Sequence, residues 1–227
     1  MRRSSVQFRQ EALGGPDRKQ LVRAFAFRER ASRVERIDWD EARWLNLPAE
    51  IAPDGSDLLV TAREGSDFWR TTSYGFVRDS GHALLTDFPP GTAVEVTFTP
   101  EFETLYDQAG LFVRLDESTW IKAGVEMSDG YPQLGAVVTD GSSDWSLAPV
   151  PEWLGRRVTI RASRAGDAVT VRARVEDEPW RMIRLAPFPA HVSASAGPFC
   201  CAPERAGLRV RFHDFTTGPA DKGLHEH

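Results

Sequence analysis

Residues 108–126 read QAGLFVRLDESTWIKAGVE, and this stretch decides the fold prediction. Apolar residues alternate with other residues on both sides of the short segment 116–118. A repeat of two residues is the side-chain period of a β-strand, so the stretch predicts a hairpin with a three-residue loop. In that register Val113 lies opposite Ile121. A slip of one residue would place core-facing side chains opposite solvent-facing ones, so the pattern favours a single register.

The second face of this hairpin is unusual for a face turned to water. The predicted register places Arg114 opposite Trp120, Phe112 opposite Lys122, Gly110 opposite Gly124, and Gln108 opposite Glu126. The facing glycines leave the sheet bare between an aromatic, basic end and an end with an amide and a carboxylate. Glycine inside a strand indicates either the close approach of a ligand or a structural bend. Both interpretations stay open at this stage.

The same alternation recurs in short runs from Trp39 onward, separated by Gly, Pro, Asp and Ser. Its clearest examples are residues 94–98, 158–162, 169–175 and 208–212. One apolar and one polar face per strand is typical of antiparallel sheets. We therefore predict an all-β fold, a two-sheet antiparallel sandwich.

The charge distribution divides the chain. Residues 1–37 contain ten Arg or Lys and four Asp or Glu, although the whole chain has a net charge of −5. We predict a basic N-terminal extension over 1–37, a sandwich domain over 38–218, and a polar, frayed C-terminal tail over 219–227. Nucleic acid is not an expected partner, because neutralising phosphates requires a basic surface.

Apolar runs in the chain are too short to cross a bilayer, which takes about 20 residues. The N-terminus lacks the apolar region of a secretory signal. Cys200 and Cys201 are adjacent, and disulfide geometry disfavours a bridge between neighbours. We therefore predict a cytoplasmic protein with two free thiols and no membrane partner.

The hairpin and several other motifs carry a family resemblance. They are, in order, DFW at 67–69, GH at 81–82, YDQAGL at 106–111, WIKAGVE at 120–126, VVT at 137–139, SDWS at 143–146, GPFC at 197–200 with Pro203, and 207–215. Together they resemble the domain of unknown function 1349 family over roughly 39–218. That family is similar to the concanavalin A-like lectins and glucanases. The resemblance implies a concanavalin A-like jelly roll with one concave face, and it implies no particular reaction.

Glycoside hydrolysis is the enzyme class that the fold relatives suggest. It requires two carboxylates, about 5–5.5 Å apart for retention or about 6.5–9.5 Å apart for inversion. The outer face of the predicted strand offers Glu126 alone, four residues from Lys122. Asp107 is an even number of residues from Ala109 and Leu111, so its side chain is expected on their apolar face rather than beside Glu126. We therefore predict no catalytic residue and keep a glycan-acting hydrolase as the alternative.

Metal and thiol chemistry have weaker support. The five histidines are dispersed without the spacing of a zinc site. Residues 140–144, DGSSD, offer oxygen ligands for calcium but lack a twelve-residue calcium loop. Neither cysteine has a partner base that the sequence identifies. We predict no metal site and no cofactor, with calcium left open.

Ligand binding on the concave face requires only aromatic platforms and polar side chains. The candidate ligand-binding residues are Asp67, Trp69, His82, Gln108, Trp120, Lys122, Glu126, Asp144 and Trp145. A buried lysine is costly unless it is paired, so Lys122 is expected to contact Asp67 or Asp144. We predict a domain that binds a carbohydrate or another small polar ligand. A regulatory module that binds a protein partner is the second alternative.

Overall fold

The computed structural model describes residues 33–225, which form almost exclusively β-strands. In chain order these are β1 (Glu35–Arg36), β2 (Arg43–Leu45), β3 (Glu50–Asp54), β4 (Asp57–Thr61), β5 (Phe68–Arg70), β6 (Val77–Asp79), β7 (His82–Asp87), β8 (Thr92–Thr99), β9 (Gln108–Arg114), β10 (Thr119–Ser128), β11 (Tyr131–Asp140), β12 (Ser142–Pro149), β13 (Val158–Ala165), β14 (Ala168–Val175), β15 (Arg181–Pro187), β16 (Ser195–Cys201) and β17 (Arg209–Pro219). A 3₁₀ turn, Pro151–Trp153, precedes β13.

Two antiparallel sheets make up the sandwich. Sheet A has the order β15-β14-β13-β8-β17-β4-β3, and β1 also pairs with β17. Sheet B has the order β12-β11-β10-β9-β16-β7-β2. Strands β5 and β6 pair only with each other among the described residues. The prediction of an all-β, two-sheet antiparallel sandwich is confirmed.

The β9–β10 hairpin has the predicted register. Val113 pairs with Ile121, and both side chains lie in the core between the sheets. On the other face Phe112 pairs with Lys122. The backbone amide of Leu115 donates to the carbonyl of Thr119 at 3.0 Å, which closes the three-residue loop. The alternation of the sequence therefore determined this part of sheet B.

A short hairpin covers the outer face of sheet B. We call β5, β6 and their turn the cover hairpin, residues 68–79. The ring of Phe68 stacks on Phe112 with centroids 4.2 Å apart, and Trp120 lies 6.1 Å from Phe68. Arg114 binds both carboxylate oxygens of Asp79, at 2.6 and 2.9 Å. A two-stranded hairpin has little stability in isolation, so this packing holds it in place. Sheet B is consequently buried on both faces around Trp120.

The facing glycines of β9 and β10 have a structural cause. A Cβ atom on Gly124 would lie 2.1 Å from the carbonyl oxygen of Ala109, and one on Gly110 would lie 2.1 Å from that of Ala123. The neighbouring backbones leave no space for a side chain. Gly124 lines a crevice of about 20 Å³. Since such a volume holds about one water molecule, the glycine pair is not the ligand floor that the sequence analysis considered.

The edges of the domain differ from the predicted boundaries. Strand β1 and the buried Ile37 belong to the sandwich, although they fall in the predicted extension 1–37. Asp221, in the predicted frayed tail, makes ion pairs with Arg161 and Arg172 of sheet A. The carbonyl of Leu224 also accepts a hydrogen bond from Arg172 at 2.6 Å, so the tail is attached to the sandwich at both residues. Residues 1–32 of the predicted extension lie outside the described part of the chain.

The two cysteines are free thiols, as predicted. Cys200 points into the core between the sheets, whereas Cys201 points to the face under the cover hairpin. Successive side chains of a strand point to opposite faces, so the two sulfur atoms cannot approach each other. Burial raises the pKa of the Cys200 thiol to about 12. Separately, residues 33–225 contain no helix that is long and apolar enough to cross a membrane.

Gly124→Ala is expected to destabilise the domain, because the added methyl group would overlap the backbone of β9. We expect the free energy of unfolding in urea to fall by about 2 kcal/mol or more. Gly130→Asn is the matched control: Gly130 lies at a φ of 80° with open space around it, and asparagine tolerates that conformation. Equal stability of Gly124→Ala and the wild type would contradict the close-approach explanation.

Candidate functional site

A cavity of about 300 Å³ lies between the cover hairpin and the outer face of sheet B. Its walls include aromatic rings of the cover hairpin, and its floor carries polar side chains of β9 and β10. The residues that line it are Gly65, Asp67, Trp69, Tyr74, Phe76, Arg78, Tyr106, Gln108, Lys122, Glu126, Trp145, Pro203 and Glu204.

Lys122 on β10 is the central polar group of the floor. Its side chain is only 5% exposed, and its Nζ donates to Oδ1 of Asp67 at 3.2 Å and to Oε1 of Gln108 at 2.8 Å. Burial alone would lower the lysine pKa, but the charges of Asp67 and Glu126 outweigh burial and raise it. Lys122 is therefore a charged, buried ammonium. The expected pairing with Asp67 is confirmed.

Asp67 joins the cover hairpin to this floor. Its Oδ1 also accepts a hydrogen bond from the backbone amide of Phe68 at 2.8 Å. Its carbonyl accepts the backbone amides of Ser80 and Gly81, each at 2.9 Å. These contacts hold the carboxylate at the base of the hairpin, where it meets Lys122. The position of the hairpin and the charge balance of the floor therefore depend on each other.

Glu126 differs from the other polar residues of the cavity. It is 9% exposed and lines the cavity, yet no residue between 33 and 225 donates a hydrogen bond to its carboxylate. Burial raises its pKa to about 7; Lys122 opposes this shift, and Asp67 adds to it. Buried polar groups normally have hydrogen-bond partners. The carboxylate of Glu126 is thus available to a molecule in the cavity.

Aromatic side chains form the apolar walls. Trp69 meets Trp145 edge to face with ring centroids 5.9 Å apart, and it meets Tyr74 edge to face at 5.5 Å. The indole N–H of Trp69 donates to the carbonyl of Thr72 at 2.9 Å, which fixes the ring. Tyr74 also stacks on Phe76 at 5.4 Å. The cavity therefore combines rigid rings with a charged floor, as small-molecule sites do.

Tyr106 contributes a further wall, from the loop before β9. Its hydroxyl lies 3.4 Å from that of Tyr74. The hydrogen bond with Tyr74 and burial raise the pKa of Tyr106 to about 12. The backbone at Tyr106 has a φ of 64°, a conformation that non-glycine residues adopt rarely and that often occurs at functional sites.

The match to a family model covers residues 44–220, and the family is described as "Protein of unknown function (DUF1349)". The chain belongs to the DUF1349 family. "Regulation of enolase protein 1" of Saccharomyces cerevisiae is 38% identical over 187 residues, which are 82% of this chain and 94% of the yeast protein.

Two solved structures are similar in fold to this DUF1349 chain. A functionally unknown protein from Saccharomyces cerevisiae matches with a TM-score of 0.77 and 36% identity, over 82% of this chain and 100% of the other. The xylan β-1,4-xylosidase of Bacillus halodurans matches with a TM-score of 0.56 and 15% identity, over 81% of this chain and 38% of the enzyme. This second likeness shows the fold alone, a jelly-roll sandwich. The expected architecture is confirmed.

Six of the nine predicted ligand-binding residues of this DUF1349 chain meet in the cavity. They are Asp67, Trp69, Gln108, Lys122, Glu126 and Trp145. Trp120 lies elsewhere: it is 1% exposed and enclosed by the rings of Phe68 and Phe112. Its parity places it on the outer face of sheet B, as predicted. The cover hairpin leaves it no surface for a ligand.

His82 and Asp144 also lie outside the cavity. His82 begins β7 rather than lying in a turn; it is 1% exposed, and burial lowers its pKa. Its Nε2 accepts the backbone amide of Arg63 at 3.0 Å, and its Nδ1 lies 3.1 Å from the carbonyl of Asn46, so it connects two loops. Asp144 is exposed and pairs with Arg184 at 2.6 Å. It borders a second, more open depression of about 480 Å³, which shares Trp69, Tyr74 and Trp145 with the cavity.

Potential metal ligands are not clustered in the described part of the chain. Residues 33–225 contain no group of three His, Cys, Asp or Glu side chains that could hold an ion. Within the segment 140–144, Gly141 alone links β11 to β12, and Ser142, Ser143 and Asp144 are paired residues of β12. Asp107, the other carboxylate considered for hydrolysis, is fully buried and binds Arg205 at 2.7 Å.

The sequence analysis did not identify the residues in the turn of the cover hairpin that form walls of the cavity. These residues are Tyr74, Phe76 and Arg78, joined by Tyr106 and Glu204 from two loops. Arg78 lies over the ring of Phe76 at 5.0 Å. The aromatic pair directly after the DFW motif was the available signal, but no local pattern shows that this turn folds over a distant sheet.

Glu126→Gln should change how stability depends on pH. The unfolded carboxyl titrates near 4.5 and the folded one near 7, so the folded state holds the proton more tightly. The wild type should therefore lose stability as pH rises from about 4.5 to about 7, by up to about 3 kcal/mol. Glutamine cannot ionise, so the variant should match the wild type near pH 4 and exceed it at pH 8.

Urea unfolding at pH 4, 6 and 8 measures this difference. Glu101→Gln, at an exposed position, is the matched control and should keep the wild-type slope. Parallel pH profiles for Glu126→Gln and the wild type would show that Glu126 is not a buried carboxyl.

Proposed function

We propose that this DUF1349 protein binds a carbohydrate in the cavity under the cover hairpin. The observation that carries the proposal is Glu126, a carboxylate nine-tenths buried that faces an aromatic-walled cavity and has no hydrogen-bond donor among the described residues. A sugar supplies what the cavity lacks, namely hydroxyl donors for the carboxylate together with C–H surfaces for the rings.

The charges of the cavity favour a neutral ligand. Lys122 is already neutralised by Asp67, so its ammonium does not attract an anion strongly. Glu126, once ionised, would repel phosphate or carboxylate groups. A ligand with several hydroxyls avoids this repulsion and can donate to both oxygens of Glu126. Neutral saccharides therefore fit better than nucleotides or organic acids.

The comparisons support the ligand class without identifying it. A jelly roll of this kind also occurs in the xylan β-1,4-xylosidase of Bacillus halodurans, whose name refers to xylan. A shared fold hosts many functions, so the site has to supply the argument. Xylo-oligosaccharides are consequently a suitable first group of probes.

Trp145→Ala should abolish saccharide-induced stabilisation, because it removes one aromatic wall of the cavity. The experiment measures the melting temperature with a panel of xylo-, gluco-, manno-, galacto- and arabino-oligosaccharides at millimolar concentration. We expect at least one series to raise the wild-type melting temperature by a few degrees. Trp180→Ala is the matched control, since Trp180 stacks with Arg174 on sheet A, away from the cavity. No stabilisation by any oligosaccharide of the panel would contradict the proposal.

A glycan hydrolase is the second candidate, and one observation favours it. Asp67, Lys122 and Glu126 line the same cavity, and the raised pKa of Glu126, about 7, suits a general acid. Hydrolysis would then use Glu126 to protonate the departing sugar and Asp67 as the second carboxylate.

Measuring reducing sugar released from the same oligosaccharides separates the two functions. A hydrolase should lose turnover by about 100-fold or more in Glu126→Gln, because general acid catalysis contributes that much. Asp87→Asn, at an exposed strand end, is the control and should keep full turnover. Binding without product release in the wild type would exclude the hydrolase for those sugars.

A regulatory module has support from the surface of the cover hairpin. Tyr74, Phe76 and Val77 are each about 40 to 50% exposed on one short turn, and exposed apolar groups often mark protein contacts. The name of the yeast relative also refers to regulation of an enzyme. However, Tyr74 and Phe76 already line the cavity, so a bound saccharide accounts for them without a protein partner.

A further inference from the structure

We propose that the cavity receives one terminal unit of a saccharide chain and excludes internal segments. The inference rests on the proposed carbohydrate function and adds the part of the ligand that is recognised. A concave sheet left open at both ends can accommodate a long polymer. In this molecule the cover hairpin and the loop before β9 close the outer face of sheet B on opposite sides of the cavity.

The cover hairpin closes one side through contacts that cross sheet B. At the β12 edge, the backbone amide of Arg70 donates to the hydroxyl of Ser143 at 2.9 Å. At β9, the guanidinium of Arg114 donates two hydrogen bonds to the carboxylate of Asp79. Between these points Phe68 packs against sheet B with no exposed surface. A polymer cannot pass beneath a hairpin that is attached to sheet B at the β12 edge and at β9, with the ring of Phe68 filling the space between these two points.

Tyr74 and Tyr106 close the opposite side. Both rings line the cavity, and their hydroxyls approach to 3.4 Å, so the turn of the hairpin meets the loop before β9. This loop is fixed, since the backbone amide of Tyr106 donates to Met127 at 2.7 Å and the Tyr106 carbonyl accepts the side-chain amide of Gln108 at 3.2 Å.

The dimensions of the cavity agree with a single chain end. Its volume of about 300 Å³ is at the lower end of the range for small-molecule sites. Its floor holds the Lys122–Asp67 pair together with Glu126, whose carboxylate has no hydrogen-bond donor between residues 33 and 225. A terminal unit carries a free hydroxyl that an internal unit uses in its linkage, so it can offer the additional donor to Glu126.

Chain fragmentation tests this inference. The probe is the parent polysaccharide of the oligosaccharide series that stabilises the protein, xylan in the case of xylo-oligosaccharides. Binding capacity at constant total sugar is measured by isothermal titration before and after digestion with an endo-acting hydrolase. We expect the number of sites to rise in proportion to the new chain ends.

Equal capacity before and after digestion would overturn terminal recognition while leaving carbohydrate binding intact. The absence of binding to every saccharide would instead refute the proposed function. Tyr74→Ala opens the closed side and should raise the capacity for undigested polymer at least twofold. Tyr131→Ala, at an exposed turn outside the cavity, is the matched control and should keep the preference for ends. An unchanged preference in Tyr74→Ala would also count against the inference.

Discussion

The ion pair between Lys122 and Asp67 is the contact on which the arrangement of the site depends. It joins β10 to the base of the cover hairpin, two parts of the chain 55 residues apart. A buried ammonium without a partner would cost several kcal/mol, so the hairpin has to present its carboxylate at this point. This position of the hairpin also brings Phe68 against Phe112. It likewise brings Asp79 within hydrogen-bond distance of Arg114. A sheet that would otherwise have one wet face acquires a second, smaller core.

The sequence predicted the sandwich and the β9–β10 register because both depend on local alternation and on a loop of defined length. It also restricted the partner of Lys122 to Asp67 or Asp144, of which the structure shows Asp67, since a buried charge needs a nearby carboxylate. It did not predict that Trp120 would be enclosed, because strand parity reports which face a side chain occupies and not what covers that face. The cover depends on residues 68–79, whose two short strands carry almost no periodic pattern.

Glu126 illustrates the cost in stability of a carboxyl group in a buried position. An ionised carboxylate in a buried position lowers the stability of the fold, and a glutamine or an apolar residue would remove that cost. Proteins keep such groups mainly where a ligand or a reaction needs them, which is why shifted carboxyl groups are a useful indicator of sites. The neighbouring Lys122 and Asp67 differ from Glu126, because the charge of each one compensates the cost of burying the other.

Strand β17 has a consequence for how the protein is made. It lies in the interior of sheet A between β8 and β4, and it also pairs with β1. Until residue 219 has left the ribosome, β4 and β8 present open edges, and such edges promote aggregation. Sheet A therefore cannot be completed before β17 has been synthesised. A nascent chain of this architecture has a long interval in which chaperones can bind it, and its yield should depend strongly on the speed of translation and on temperature.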